Sequence, residues 1–477
     1  MRTLEQTQAA ARAVPLDATT PVEWALTAFC GRPGGFALDW TAAPPTNDRF
    51  TILGCDPVES VCVEPSRATD AIARWAAQVG AVSCSGAWRP LPAVPFCGGW
   101  VGYIAYEAGF ALDRIGVAPR TGRLLPDLRF SLYDTVAVYA HARRQWYVAG
   151  VEWPDRPPLA DRLAQTADWV ACCTPPTPMD TQRAISDPPV SNLSRSDYLA
   201  AVALAKEYIA AGDVYQVNLA QRFAATVRGS PLELYRRLRR VNPAPYGAFL
   251  ASGDRAVLSA SPELFLDVRG DRVVTRPIKG TRPRSGDPTG DAARRDALEA
   301  SEKDRAELNM IVDLLRNDLG RVCRFGSVRV TSPGTIEEHP TVFHRVATVT
   351  GRLAPPYTWV DLLRATFPGG SITGAPKIRA MQIIHEIEPT PRDVYCGAIG
   401  YVGLDGTVSL NIAIRTMVMR GSQVYLYAGG GIVADSDPQD EYEETLAKAA
   451  GMMRALGHEI SSEYLVLSAE VWATWCI

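Results

Sequence analysis

Apolar positions recur along this chain in two rhythms. In "DRAELNMIVDLLRNDLG", Leu308, Ile311, Val312, Leu315 and Leu319 return at helical spacing and define one face, which predicts a helix over about 303–319. "SRSDYLAAVALAKEYIAAG" opens on a Ser/Asp cap signal and runs amphipathically to Gly212, predicting a helix over about 197–211. Two more are expected at about 376–387 and 438–456, the last announced by Asp437-Pro438, since proline is pre-set for a first helical turn. Elsewhere the period drops to two, as in "LRFSLYDTVAVYAH" and "QWYVAGVEW". "LFLDVRGDRVVTRP" predicts two strands around Gly270-Asp271. "CGAIGYVGLDGTVSLNIAIRTMVMRGSQVYLYAGGGIV" predicts three antiparallel strands turning at Asp405-Gly406 and near Gly421. Hairpin connections imply an α+β protein with a largely antiparallel sheet under the helices, not a doubly wound parallel one.

The clearest shift in composition is "TPPTPMDTQRAISDPPVSNLSRSD", residues 174–197, too rich in Pro, Ser and Asp to hold a regular element. It divides the chain into an N-terminal region (1–173), a linker (174–195), a principal region (196–456) and a tail (457–477) unlike the rest. "CGGWVGYIAY" and "CGAIGYVG" echo each other, too weakly to establish a repeat. With 47% hydrophobic and 21% charged residues the composition is that of a soluble globular protein, and the net charge of -3 gives no reason to expect nucleic acid or an anionic membrane as partner. The first twenty residues lack an apolar signal segment, and no apolar run is long enough to span a bilayer. Ten scattered cysteines without C-x-x-C, beside five histidines, suggest neither a zinc site nor a disulfide framework; they read as buried small hydrophobes in a reducing, cytoplasmic setting.

Charged residues on apolar faces change this picture. Asp304 and Glu307 fall on or beside the apolar face of their helix, where two carboxylates cost several kcal/mol unless a cation meets them. In "DSDPQDEYEETLAKAAGMM", Glu441, Glu444, Lys448 and Met452 share a face. Two helices thus offer carboxylates at i and i+3, and oxygen ligands without His or Cys favour Mg2+, its shell completed by water and an anionic substrate. Glu441 and Glu444 also read as solvated first-turn acids favoured by the helix dipole. "FPGGSITGAPKIRAM" leads a glycine turn into a helix N-terminus, and "YAGGGIV" ends a strand in glycines; both let backbone approach an anion. Arg415 interrupts an apolar strand and suits a carboxylate through paired hydrogen bonds.

These segments, with "DVYQVNLAQRF", "SASPELFL", "RPIKGTRPR" and "TVFHRVATVTG", follow one another over about 196–456 and resemble the chorismate-utilising enzymes. That family includes anthranilate, aminodeoxychorismate, isochorismate and salicylate synthases. "PFCGGWVGYIAYEAG" extends the resemblance more loosely toward the N-terminus. The resemblance implies an antiparallel β-sandwich wrapped by helices. It implies Mg2+ ligands at Glu307 and Glu444, with Asp304 and Glu441 in support, an acid at Glu263 and an active-site histidine at His344. It further implies that Ser371, Thr373, Tyr395, Arg415, Gly429, Gly431 and Lys448 hold the substrate's carboxylates. Composition alone makes Lys279 a solvated loop lysine. Anthranilate synthases carry a small residue there, whereas aminodeoxychorismate synthases, component I, share "PIKGT". The resemblance therefore implies a nucleophile that attacks C2 of chorismate, its neutral form favoured by burial beside other cations. Gln216 stands where isochorismate and salicylate synthases have a water-activating lysine, which disfavours water addition. No G-x-C-x-G glutaminase motif occurs, and the resemblance implies that ammonia comes from a separate glutamine amidotransferase subunit. The rival expectations are anthranilate synthase component I and a non-catalytic chorismate-binding regulatory subunit.

Overall fold

The computed structural model describes residues 11–41, 49–64, 75, 76, 79, 94–113, 115–117, 120–153, 155–177 and 188–458. Most of the expected tail, and 178–187 of the expected linker, lie outside the described residues. Two antiparallel sheets form the core. One, of twelve strands, runs Ala11–Leu16, Gln145–Val151, Thr135–Ala140, Phe50–Gly54, Phe36–Asp39, Tyr246–Ser252, Arg255–Ser261, Thr416–Arg420, Gln423–Ile432, Gln216–Thr226 and Gly374–Ala375, with Val190–Ser191 against Gln216–Thr226. The other, of ten strands, runs from Ile278–Pro283 through Val342–Arg352, Arg272–Arg276, Leu264–Arg269, Val408–Ile412, Ala398–Gly403, Gly99–Ile104 and Leu128–Tyr133 to Glu59–Val63, with Arg329–Glu338 against Val342–Arg352. Strands from before and after the linker are hydrogen-bonded neighbours in both sheets, so the apolar residues between them form a shared core.

The helices match their sequence signals. Arg195–Ala210 carries a full capping box between Ser194 and Asp197, and Asp437 accepts the Gln439 and Asp440 N–H groups ahead of Pro438–Ala455. Glu302–Gly320 buries Leu308, Ile311, Val312, Leu315 and Leu319, each worth about 1.5–3 kcal/mol of transfer from water. It lies on Ile278–Pro283 and Val342–Arg352, whereas Pro438–Ala455 lies on Gln423–Ile432.

Three expectations need correction. The long C-terminal apolar run is four strands, because the chain leaves one sheet after Ile412 and enters the other at Thr416. Apolar side chains continue through the break, so periodicity hid it; the turn is made at Arg415, in the left-handed region at φ 52°. Within the expected linker, Val190 and Ser191 form a short strand against Phe223 and Ala224. Cys62 and Cys172 are exposed, although Cys30, Cys55, Cys97, Cys323 and Cys396 are buried free thiols. No helix among the described residues is long and apolar enough to cross a membrane.

The echoed segments prove to be partners: Gly99–Ile104 pairs with Ala398–Gly403, placing Gly102 opposite Gly400. A Cβ on Gly102 would fall far inside contact with the Arg129 carbonyl oxygen, which is backbone and cannot yield. Gly102→Ala is expected to cost at least about 2 kcal/mol, read as a lower urea midpoint at unchanged m.

Candidate active site

A cavity of about 250 Å³ opens where both sheets meet the helices Glu302–Gly320 and Pro438–Ala455. The cations demanded by the first helix are present. Asp304 pairs with Arg282 at 3.0 Å, and Glu307 with Lys279 at 3.6 Å. Both cations come from Ile278–Pro283, which approaches so closely that a Cβ on Gly280 would sit 2.8 Å from Asp304; Gly280 also has φ +85°, so glycine is required twice over. Lys279 is thus a largely buried cavity residue facing a carboxylate, with Arg282, Lys303, Arg415 and Lys448 in the same lining.

On the second helix, Glu444 pairs with Lys448, whose Nζ also donates to the Gly429 carbonyl at 2.9 Å. Glu441 is 2% exposed. Its Oε1 accepts from Ser436 Oγ at 2.6 Å, while its Oε2 has no hydrogen-bond partner. Burial first, and the neighbouring Glu444 second, push this carboxyl up to about 7. The helix can lie so near the strand because Gly430 has no side chain; a Cβ there would stand 2.8 Å from Glu441 Oε2. The reading of these two as solvated acids therefore fails.

Glu263 follows the strand Arg255–Ser261 and is buried. Ser371, in the Pro-Gly-Gly loop, donates to its Oε1 at 2.7 Å. Burial pushes Glu263 up to about 7 despite the opposing pull of Ser371 and Lys279. His344 is buried and shares a 2.7 Å hydrogen bond with Thr281 through Nδ1. Desolvation, with His339 and Arg415 nearby, holds it well below the usual histidine range and keeps it neutral. Its neighbour Arg345 points to the opposite side, onto the Leu298 and Glu299 carbonyls. Tyr395 stacks on Tyr427 at 5.2 Å, and both line the cavity together with Arg415, Gly429 and Gly431.

Thr373 is the exception among the sequence-predicted residues. It does not line the cavity; it is fully buried, donates to the Gly369 carbonyl at 3.0 Å, and so shapes the glycine loop from behind. Sequence reasoning missed Asn218, Thr281, Arg282 and Lys303, all in the lining. Asn218 had a usable signal, a polar residue two positions after Gln216 on the same face of a buried strand. Its Oδ1 and both polar atoms of the Gln216 amide are buried without partners. Gln216 Nε2 lies where a Cβ on Gly431 would collide with it, and Lys279 Nζ lies 3.5 Å from the same point.

Among the described residues no three acidic, histidine or cysteine side chains stand together as a finished metal cage. The donors nevertheless fit a hard divalent cation. An orphaned, destabilised Glu441 oxygen beside Glu444 is relieved by a positive charge, and Mg2+ characteristically takes one or two carboxylates, leaving the rest to water and substrate.

An antiparallel sandwich holding a cavity of paired carboxylates, a buried protonatable glutamate and interspersed cations defines an enzyme for a small anionic substrate. Residues 38–454 match the family described as chorismate binding enzyme, and the chain belongs to that family. It is 44% identical over 368 residues to aminodeoxychorismate synthase component 1 of Klebsiella aerogenes, covering 77% of this chain and 79% of that one. It is 39% identical over 458 residues to anthranilate synthase component 1 of Streptomyces coelicolor, covering 92% and 87%. Anthranilate synthase component I from Streptococcus pneumoniae superposes with a TM-score of 0.73 at 34% identity, over 86% of this chain and 93% of that one. A menaquinone-specific isochorismate synthase from Escherichia coli, 19% identical with a TM-score of 0.70 over 94% of each chain, shares the fold.

Proposed function

We propose that this chain aminates chorismate at C4, yielding 4-amino-4-deoxychorismate for p-aminobenzoate and folate synthesis in the cytoplasm. The observation that carries the reading is Lys279, projecting into the same cavity as a buried carboxyl poised near 7. Similarity to several aminodeoxychorismate synthases, component 1, supports it. Lys279 Nζ, once deprotonated, bonds to C2 while the ring double bonds shift and the C4 hydroxyl departs as water, its proton supplied by Glu263. Ammonia then bonds to C4, the double bonds shift back, and the C2–Nζ bond breaks to free Lys279. Arg415, Lys448, Ser371, Tyr395 and the glycines Gly429 and Gly431 hold and shape the space around the substrate carboxylates. His344 hydrogen-bonds from that wall without adding charge. Ammonia comes from a separate glutamine amidotransferase subunit.

Mg2+, held by Glu307 and Glu444 with Asp304 and Glu441 beside them, would supply charge stabilisation at the C1 carboxylate. Chelation of the purified protein is expected to cut turnover at least about 100-fold, with recovery on adding Mg2+. In differential scanning fluorimetry, Mg2+ should raise Tm for the wild type and leave Glu444→Gln unmoved. The rival with support of its own is anthranilate synthase component I, whose Streptomyces coelicolor representative aligns with 92% of the chain. Mass spectrometry of the product from chorismate, Mg2+ and an ammonium salt separates the two. 4-Amino-4-deoxychorismate supports this proposal, anthranilate replaces it with the rival, and binding without turnover leaves a regulatory subunit.

A further inference from the structure

One arginine stands behind the catalytic cavity and is bonded to its walls without lining it. Arg392, just beyond the helix Lys377–Ile387, is 1% exposed and absent from the cavity surface. Its guanidinium forks onto Glu388, Nε donating to Oε2 at 2.9 Å and Nη2 to Oε1 at 2.6 Å. The same group reaches forward twice more. Nη1 donates to the Ile372 carbonyl at 3.0 Å, in the glycine loop next to Ser371. Nη2 donates to the Asn218 carbonyl at 2.9 Å, on the strand Gln216–Thr226. The guanidinium also lies 5.9 Å from the ring centre of Tyr395. Asn218, Ile372 and Tyr395 all line the cavity.

A buried guanidinium that needed only a counter-ion would be satisfied by Glu388 alone. Two further bonds, to carbonyls of separate elements that carry cavity residues, fix where those elements stand relative to each other. The segment bearing Tyr395 is itself strained. Asp393 and Cys396 sit in the left-handed region at φ 53° and 62°, although neither is glycine. Such backbone persists only where its surroundings over-determine it, and it gathers at functional sites. Here the Arg392 N–H donates to Glu107 at 2.7 Å, Asp393 pairs with Arg123 at 2.9 Å, and the Pro391 carbonyl accepts the Tyr427 hydroxyl at 2.9 Å. We propose that Arg392 is a positioning residue: its fork on Glu388 registers the glycine loop, the strand Gln216–Thr226 and Tyr395, and thereby holds Ser371 within hydrogen-bonding reach of Glu263. The inference rests on Glu263 as the acid of the proposed reaction, and it reaches that acid through the 2.7 Å bond from Ser371. Lys279 and the Cys396 thiol also act on Glu263. Arg392→Lys leaves both in place and keeps the positive charge.

Chorismate consumption with Mg2+ and an ammonium salt is followed against pH, at constant free ammonia. The proteins compared are wild type, Arg392→Lys, Ser371→Ala and the double variant. Lysine keeps a cation on Glu388 but cannot fork there and reach both carbonyls as well. The Ser371 hydrogen bond favours the ionised form of Glu263, so its loss or displacement moves the alkaline limb of kcat/KM to higher pH. Arg392→Lys is expected to lower the plateau of kcat/KM about ten- to 100-fold and to raise the limb by about one pH unit. Ser371→Ala should raise the limb equally, and adding Arg392→Lys to it should raise it no further. Circular dichroism melts establish that each variant is folded. Should Arg392→Lys fail to fold, Glu388→Gln, which keeps the shape but weakens the fork, carries the same comparison. A limb present in wild type yet unmoved by the substitution behind the cavity, or shifts that add in the double variant, overturns this inference alone. A limb absent from wild type, or retained by Glu263→Gln, removes Glu263 as the acid and this inference with it.

Discussion

Replacing Lys279 with alanine is expected to abolish formation of 4-amino-4-deoxychorismate, lowering kcat/KM for that product by at least about 10³-fold. The size follows from what is lost. If Lys279 only steadied a carboxylate through its 3.6 Å pairing with Glu307, its removal would cost roughly what one partly exposed charge pair is worth, tenfold or less. A nucleophile is different, since without it no C2 adduct forms and ammonia has no reason to enter at C4. Ammonia can still meet C2 directly in the space that alanine leaves, so any residual amination is expected there and is read as anthranilate or its precursor. Two controls sharpen the result. Lys279→Arg keeps a cation opposite Glu307 but offers no neutral amine, and should be as inactive as alanine. Chorismate affinity, measured by fluorescence quenching, should change less than tenfold in Lys279→Ala. Undiminished 4-amino-4-deoxychorismate from the alanine variant would sink the covalent route.

The sequence made the elements legible where one physical rule governed them. The helices Glu302–Gly320 and Pro438–Ala455 were readable because apolar spacing, caps and misplaced acids agreed. The demand that cations meet Asp304 and Glu307 was legible as well, but their identity was not. Arg282 and Lys279 lie on a strand more than twenty residues earlier, and only the strand's docking under the helix brings them together. The break at Arg415 was hidden for the opposite reason: the strands on both sides are buried, so apolarity carried on through the turn. Thr373 was misplaced because a motif preserves the order of residues, not which side of a loop faces the ligand. The orphaned amides of Gln216 and Asn218 are legible only as packing, since nothing in a strand's composition says whether a polar side chain finds a partner.

Glu263→Gln carries the second large effect and separates acid catalysis from binding. The variant keeps the shape and the Ser371 hydrogen bond but has no proton to give, so turnover should fall about 10²–10⁴-fold with KM for chorismate little changed. The wild-type pH profile fixes the sign. Glu263 must be protonated to expel the C4 hydroxyl, and burial places its midpoint at about 7. At constant free ammonia, its contribution to kcat/KM should therefore fall tenfold per pH unit above that midpoint, a limb that Glu263→Gln lacks. Stability runs the same way. The folded-state value lies above the unfolded reference of 4.5, so the cost of burying this group is absent below 4.5, grows as pH rises from 4.5 to about 7, and is constant above. Glutamine never ionises, so the variant should be more stable than wild type above pH 7, by up to about 3 kcal/mol, and unchanged near pH 4. A variant that is inactive yet harder to unfold by urea at pH 8 marks Glu263 as a group kept for chemistry at the expense of the fold. A variant that retains the alkaline limb would assign the departing hydroxyl's proton to another donor.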